Sequence, residues 1–276
     1  MQQFKLANNL EIPAIGYGTW KLKNDDETID IIKEAYTAGY RHFDTAFAYG
    51  NEKAIGNAIA TMDREKLFLS GKLWNDDRNN VLDAYNRTVK NLQCDYLDLY
   101  LLHWPASKAV HENWDIINAK VWEQMEQLYN EKKVRAIGVC NFNVAQLTAL
   151  ETTAKIMPMV NQIEFHIGQT QNELREYCKQ KNILVEAWSP LGHGKMLKIP
   201  ELTTMAEKYN ISVAQLCIKW CLDNNVLPIP KSKNPERMRQ NLAVHFNISA
   251  EDMQTLNSIP YMYGSGLDSE TITLFN

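Results

Sequence analysis

The stretch YLDLYLLHWP (96–105) runs, across a loop, into INAKVWEQMEQLYNEKK (117–133), VRAIGVCNF (134–142) and VAQLTALETTAK (144–155). Its first and third segments are short, apolar and rich in β-formers, while the second and fourth repeat apolar residues at helical spacing. Strand, helix, strand, helix in direct succession is the pattern of parallel crossover units. The alternation continues in both directions. Upstream, IGYG (15–18) leads into DDETIDIIKEAYTAG (25–39), whose first turn is acidic and whose end is marked by Gly39. RHFDTAFAYGNE (41–52) leads into a helix over 51–61, and LFLSGKLWN (67–75) into RNNVLDAYNRTVKNLQ (78–93). Downstream, PMVNQIEF (158–165) precedes QNELREYCKQKN (171–182), ILVEAWSP (183–190) precedes two short helices, and VLPIPKS (226–232) precedes PERMRQNLA (235–243). Ahead of all this, FKLANNLEIPAIG reads as a hairpin turning at Asn8-Asn9, because Asn tolerates left-handed turn geometry.

Eight such units in 276 residues, with no linker, low-complexity stretch or charge block, predict one domain over 1–276. The fold class is α/β, a (β/α)8 TIM barrel with an N-terminal β-hairpin. Alternation alone does not demonstrate closure, so an open doubly wound sheet competes; no GxGxxG follows the first strand, which counts against the dinucleotide-binding version. An apolar share of 45%, a charged share of 22% and a net charge of −4 argue against nucleic acid or an anionic membrane as the main partner. The first residues are too polar for a signal peptide, and no stretch is long and apolar enough to span a bilayer. Five cysteines without CxxC spacing suit a reducing, cytoplasmic setting, with Cys217 and Cys221 one helical turn apart as packing residues. Six histidines show no ligand spacing with carboxylates, so no metal is expected.

In a parallel barrel the C-terminal ends of the strands converge on one mouth. Three strand ends would thereby bring together Asp44, Tyr49, Lys72 and His103. Singly, each has an ordinary structural reading: a helix cap, a half-buried aromatic, a rim charge, a core histidine. Together their properties are complementary. A phenol titrates near 10, too high for easy proton donation at neutrality. A neighbouring ammonium lowers that value, an aspartate holds the ammonium, and a neutral imidazole orients a carbonyl oxygen. Such a set delivers a proton to a carbonyl but needs a hydride from a cofactor.

The motifs GYGTW (16–20), FDTAFAYGNE (43–52), SGKLWN (70–75), LYLLHWP (99–105), GVCNF (138–142), NQIEFH (161–166), AWSPLG (187–192) and PIPKSKNPERMRQN (228–241) resemble the aldo-keto reductase family over nearly the whole chain. The resemblance implies a barrel that reduces aldehydes and ketones with NADPH. On it, Asp44, Tyr49, Lys72 and His103 fall on the catalytic tetrad, with Tyr49 as general acid. Lys231, Ser232 and Arg237 match the contacts to the adenosine 2′-phosphate, and Gln240 and Asn241 those to the adenine. A Lys and an Arg beside a helix start suit a dianionic phosphate, which favours NADPH over NADH. Asn141 and Gln162 match the pair that holds the nicotinamide carboxamide. Trp188 stands where a tyrosine usually stacks under the ring, Ser189 and Leu191 lie along the pyrophosphate, and Thr19, Trp20 and Cys140 complete the cofactor positions. Trp20, Trp74 and Trp104 match an aromatic-walled substrate pocket, extended by Phe47 and His111. The tail at 261–276 is expected to drape over the mouth. The loop GHGKMLKIP (192–200) has no acidic residue to close a belt over the cofactor. The expected partner is a small carbonyl compound, and the expected state a monomer. A non-catalytic NADPH-binding protein and an alcohol dehydrogenase working mainly in the oxidative direction are the alternative readings.

Overall fold

A computed structural model describes residues 2–272. The chain opens with an antiparallel hairpin, β1 (Gln3–Lys5) and β2 (Glu11–Pro13), in register Phe4↔Ile12. Its turn is the anticipated one: Asn9 has φ 67°, and the Asn8 side chain accepts from the Leu10 N–H at 3.0 Å. Eight parallel strands follow: β3 (Tyr17–Gly18), β4 (His42–Asp44), β5 (Phe68–Leu73), β6 (Leu97–Leu102), β7 (Val134–Cys140), β8 (Val160–Glu164), β9 (Leu184–Trp188) and β10 (Val226–Pro228). Helices α1 (Asp26–Ala38), α2 (Glu52–Ile59), α3 (Val81–Leu92), α4 (Trp114–Asn130), α5 (Val144–Glu151) and α6 (Asn172–Gln180) each return the chain to the next strand. Two helices, α7 (Pro200–Lys208) and α8 (Val213–Asp223), connect β9 to β10, and α9 (Pro235–Leu242) and α10 (Ala250–Ser258) complete the ring. The last of these, capped by Ser249, is not anticipated from the sequence reading, because its apolar residues are few and widely spaced.

The sheet closes on itself. The Gly16 N–H donates to Pro228 O at 3.0 Å and the Gly18 N–H to Pro230 O at 3.2 Å, joining the first barrel strand to the last. Pro228 and Pro230 can sit in this seam because it uses their carbonyls and not the N–H groups that proline lacks. Gly18 is required there, since a Cβ would lie 2.8 Å from Ile229 O. The backbones of β3 and β10 therefore meet without a side chain between them.

The hairpin plugs the N-terminal end of the barrel. Leu6 and Ile12 are buried with Phe68, Leu99, Leu101, Ala136 and Leu227 inside the cylinder. Each side chain of this size contributes about 1.5–3 kcal/mol when removed from water. The outer layer forms for equally local reasons. In α1, Asp25 caps the N-terminus by accepting from Thr28, Ile31, Ile32 and Ala35 face inward, and Gly39 at φ 119° ends the helix. Capping boxes start α5 (Asn143 with Gln146) and α8 (Ser212 with Gln215). Cys217 and Cys221 are buried on α8, and all five cysteines are free. Among the described residues no helix is long and apolar enough to cross a membrane, and no group of His, Cys, Asp and Glu could hold a metal ion.

Candidate active site

The C-terminal end of the barrel holds a cavity of ≈ 490 Å³. Asp44 is the last residue of β4, Tyr49 ends the 3-10 turn Phe47–Tyr49 that follows it, Lys72 lies on β5, and His103 follows β6. Successive strands thus deliver the four residues to one place.

Lys72 is fully buried, a position a lysine takes only when its charge is matched. Its Nζ donates to both oxygens of Asp44, at 2.7 and 2.6 Å, and to Thr45 O at 3.0 Å. The Tyr49 hydroxyl stands 3.3 Å from the same nitrogen. Burial works against the Lys72 ammonium, but Asp44 and Tyr49 together outweigh it and hold its pKa above the ordinary value. For Tyr49 the balance runs the other way: burial pushes the phenol up to about 12, and the Lys72 charge offsets this only in part. Here the sequence reading is corrected. Proximity of the amine alone would lower the phenol, yet loss of water around the hydroxyl is the larger effect. His103, buried and repelled by Lys72, is held well below its ordinary pKa and is therefore neutral at pH 7. Its ring lies edge-on to Tyr49 at 5.6 Å and to Trp74 at 5.2 Å, and its Nδ1 is buried without a partner.

Two amides reinforce the set. Gln162 on β8 donates from Nε2 to Asp44 Oδ1 at 2.9 Å and to Glu186 Oε2 at 2.7 Å. Asn141, at φ 61° just past β7, donates to His103 O at 3.1 Å and accepts from the Trp188 indole at 2.8 Å. Asn51, which the sequence reading passed over, is buried and stitches the Tyr49 turn to the β3 loop. It accepts from Thr45 Oγ1 at 2.9 Å and donates to Thr19 O at 2.9 Å and Leu22 O at 3.1 Å. Its signal was present in the sequence: an Asn two residues after the tyrosine, where the helix α2 begins.

Of the residues singled out from the sequence, Asp44, Tyr49 and His103 border the cavity beside Asn141, Gln162 and Trp188. Trp20, Trp104, Ser189, Leu191 and Lys231 border it as well. Others stand outside its wall. Thr19 is fully buried, its hydroxyl donating to Asp44 O at 2.9 Å, and Cys140 is buried inside the barrel, where loss of water holds its thiol well above the ordinary pKa. Trp74 backs His103 from behind, and the Phe47 ring lies 3.7 Å under the Arg87 guanidinium, turned toward α3. His111 sits in a turn folded on Ser107. Beyond β10, the Ser232 carbonyl accepts from the Tyr17 hydroxyl at 2.6 Å, and Asn241 is buried beside the Tyr40 hydroxyl. Arg237 and Gln240 are exposed on α9, the Gln240 amide donating to Glu236 at 3.2 Å.

The loop at 192–200 reaches across the cavity without an acidic residue. Its His193 packs against the Trp20 ring at 5.5 Å and the Trp188 ring at 6.2 Å, while Ser189 Oγ lies 3.2 Å from His193 Nδ1. The tail also comes over the mouth: Ser265 and Leu267 border the cavity, and Glu164 accepts from Ser265 N–H and Oγ at 2.9 and 2.6 Å. Residues 273–276 of that tail lie outside the described residues.

Residues 14–260 fit the model of the Aldo/keto reductase family. Glyoxal reductase of Bacillus subtilis (strain 168) is 43% identical over 260 residues, covering 92% of this chain and 91% of that protein. Methylglyoxal reductase DkgA of Escherichia coli O157:H7 is 38% identical, covering 87% and 86%. The crystal structure of a Gox0644 mutant in complex with NADPH superposes with a TM-score of 0.91 at 34% identity, covering 98% of each chain. A closed eight-stranded barrel with these strand-end motifs, matched over almost its whole length, places the chain in the aldo-keto reductase family.

Proposed function

We propose that this chain reduces small aldehydes and ketones to alcohols with NADPH, Tyr49 delivering the proton. The observation that carries the reading is the Lys72 ammonium, buried, held by Asp44, and 3.3 Å from a phenol hydroxyl that borders the cavity. Nothing in the packing of a barrel calls for that arrangement; an apolar trio would fill the same space at lower cost.

The residues around the cavity suit such a cofactor. Lys21 and Lys231 border it and make no ion pair among the described residues, which leaves their charge for the phosphate groups of a dinucleotide. Burial first, then the charges of Lys233 and Lys21, lower the pKa of Lys231. The Trp188 ring, oriented by Asn141, offers a flat face, and Gln162 offers an amide oxygen. Lys231, Ser232 and Arg237 would take the 2′-phosphate, with Asn234 capping the helix start beside them. Bound in this way, the cofactor supplies a hydride to the carbonyl carbon.

The chain's own residues do the rest. Neutral His103 holds the carbonyl oxygen near the Tyr49 hydroxyl. Tyr49 gives its proton as charge builds on that oxygen, and Lys72 stabilises the phenolate left behind, which regains a proton from solvent. Trp20 and Trp104 wall the substrate side, closed above by Ser265 and Leu267. The names of the bacterial relatives point to dicarbonyls such as glyoxal and methylglyoxal as substrates. Five free cysteines suit a reducing compartment, and the cytoplasm is the setting we assign. The test is loss of NADPH absorbance with glyoxal, methylglyoxal and simple aldehydes, with NADH in parallel. Turnover with NADPH supports the reading, and no turnover of any carbonyl by protein that binds NADPH overturns it.

A further inference from the structure

Beneath the site lies a buried acid that the chemistry above does not use. Glu186, in the middle of β9, is fully buried with no cation bonded to it. Its Oε2 accepts from Gln162 Nε2 at 2.7 Å. Its Oε1 has no hydrogen-bond partner and lies 3.6 Å from His42 Nε2, which is itself turned to Ser70 Oγ at 2.9 Å. An apolar residue would pack here without desolvating a carboxyl group. The acid therefore does something that packing does not.

The geometry points to Glu186 as a positioning residue that locks the Gln162 amide with its oxygen toward the cavity, ready to accept from the nicotinamide carboxamide. This rests on the cofactor reading above. Gln162 is buried and its nitrogen lies between two carboxyl groups, 2.9 Å from Asp44 Oδ1 and 2.7 Å from Glu186 Oε2. An amide oxygen in that place would face the Asp44 carboxylate, so the nitrogen belongs there. The nitrogen has two hydrogens, and these two contacts use both. The Gln162 oxygen accepts from no described residue, yet it is not among the sealed, unpartnered atoms of the interior; on a residue that borders the cavity, it faces that space.

Asp44 alone would provide a pivot about which the amide could rotate. Glu186 supplies the second point that defines its plane. Burial, then the Asp44 charge, raise the Glu186 pKa and favour its uncharged form, whose carbonyl oxygen receives the Gln162 N–H. This explains how the acid sits so near Asp44 without a cation of its own. It also makes glutamine a close substitute, since a side-chain amide keeps that acceptor.

The experiment compares NADPH with adenosine 2′,5′-bisphosphate, which lacks the nicotinamide, by quenching of tryptophan fluorescence. Glu186→Leu is expected to weaken NADPH about tenfold, the effect of one misplaced hydrogen bond, and to leave the bisphosphate within about twofold. Glu186→Gln is expected to restore NADPH to within about threefold of wild type. The inference is overturned if Glu186→Leu binds NADPH like wild type, if it loses both ligands equally, or if Glu186→Gln is as weak as Glu186→Leu. Wild-type protein that binds the bisphosphate and NADPH equally would overturn it too, because the nicotinamide would then contribute nothing. Wild-type protein that binds neither would sink the cofactor reading first, and the inference with it.

Discussion

The two ends of the barrel each bury a carboxylate against a cation, with opposite results. At the N-terminal end, Asp98 accepts from Arg64 at 2.8 Å and Arg135 at 2.8 Å, and from the Leu69 N–H at 2.9 Å. There the donors serve the framework: Arg64 also donates to Leu67 O at 3.0 Å and Tyr96 O at 2.8 Å, and the hairpin packs beside the cluster. At the C-terminal end, Asp44 holds Lys72 at 2.6 Å, but the ammonium has a further contact to the Tyr49 hydroxyl, which faces a cavity. A buried carboxylate is structural when its donors only tie strands and turns together, and becomes chemical when its cation also reaches a titratable hydroxyl at a cavity.

The sharpest way to break this contrast is at the exposed end of the chain of contacts. Tyr49→Phe should lower turnover by roughly 10²–10⁴-fold, the usual contribution of a positioned general acid, while NADPH titration stays near wild type. Activity close to normal would remove Tyr49 from the reaction. The second test exchanges the two ends. Asp98→Ala should cost about 1–3 kcal/mol in denaturant unfolding, because it leaves the buried Leu69 N–H without its acceptor, yet leave turnover per folded molecule unchanged. Lys72→Met should lose both stability and turnover. If Asp98→Ala also abolished turnover in folded protein, the division between the ends would fail.

Arg237→Ala tests the remote grip on the cofactor. NADPH affinity should fall by about 1.5–3 kcal/mol, the value of a charge-assisted contact, with NADH barely affected. Equal losses for the two would take Arg237 away from the 2′-phosphate. The smallest effect is in the pH profile. With the phenol raised to about 12, Tyr49 stays protonated through neutrality, so reduction should be flat from about pH 6 to 8 as far as this group is concerned. Oxidation of the alcohol needs the phenolate and should rise about tenfold per pH unit through the same range. Stopped-flow rates in both directions check this, and a reduction rate that falls steeply over the neutral range would show that burial does not dominate at Tyr49.

Much of the site was legible in sequence because strand ends are legible. FDTAFAY, SGKLW and LLHW each carry polar residues at or near a strand's C-terminal end, and parallel topology converts three distant strand ends into one cluster. Glu186 was legible in principle, as an acid between Val185 and Ala187 in an apolar strand, but periodicity does not say which face of a barrel strand looks inward. Asn241 and Phe47 show the converse. Their motifs match the family, yet burial beside Tyr40 and stacking under Arg87 are decided by neighbouring helices.

From the chain alone came the alternation of strands and helices, the hairpin turn, and the types of residue at the mouth. These follow from local forces: turn geometry, helix caps and the period of apolar side chains. The folded structure alone decided that the cylinder closes at Gly16 and Gly18 against Pro228 and Pro230, and that the loop at 192–200 bridges by a His193–Trp20 contact. It also decided that the phenol of Tyr49 is raised and not lowered, because a side chain's pKa depends on how much water its neighbours leave it, and those neighbours are brought together only when the barrel closes.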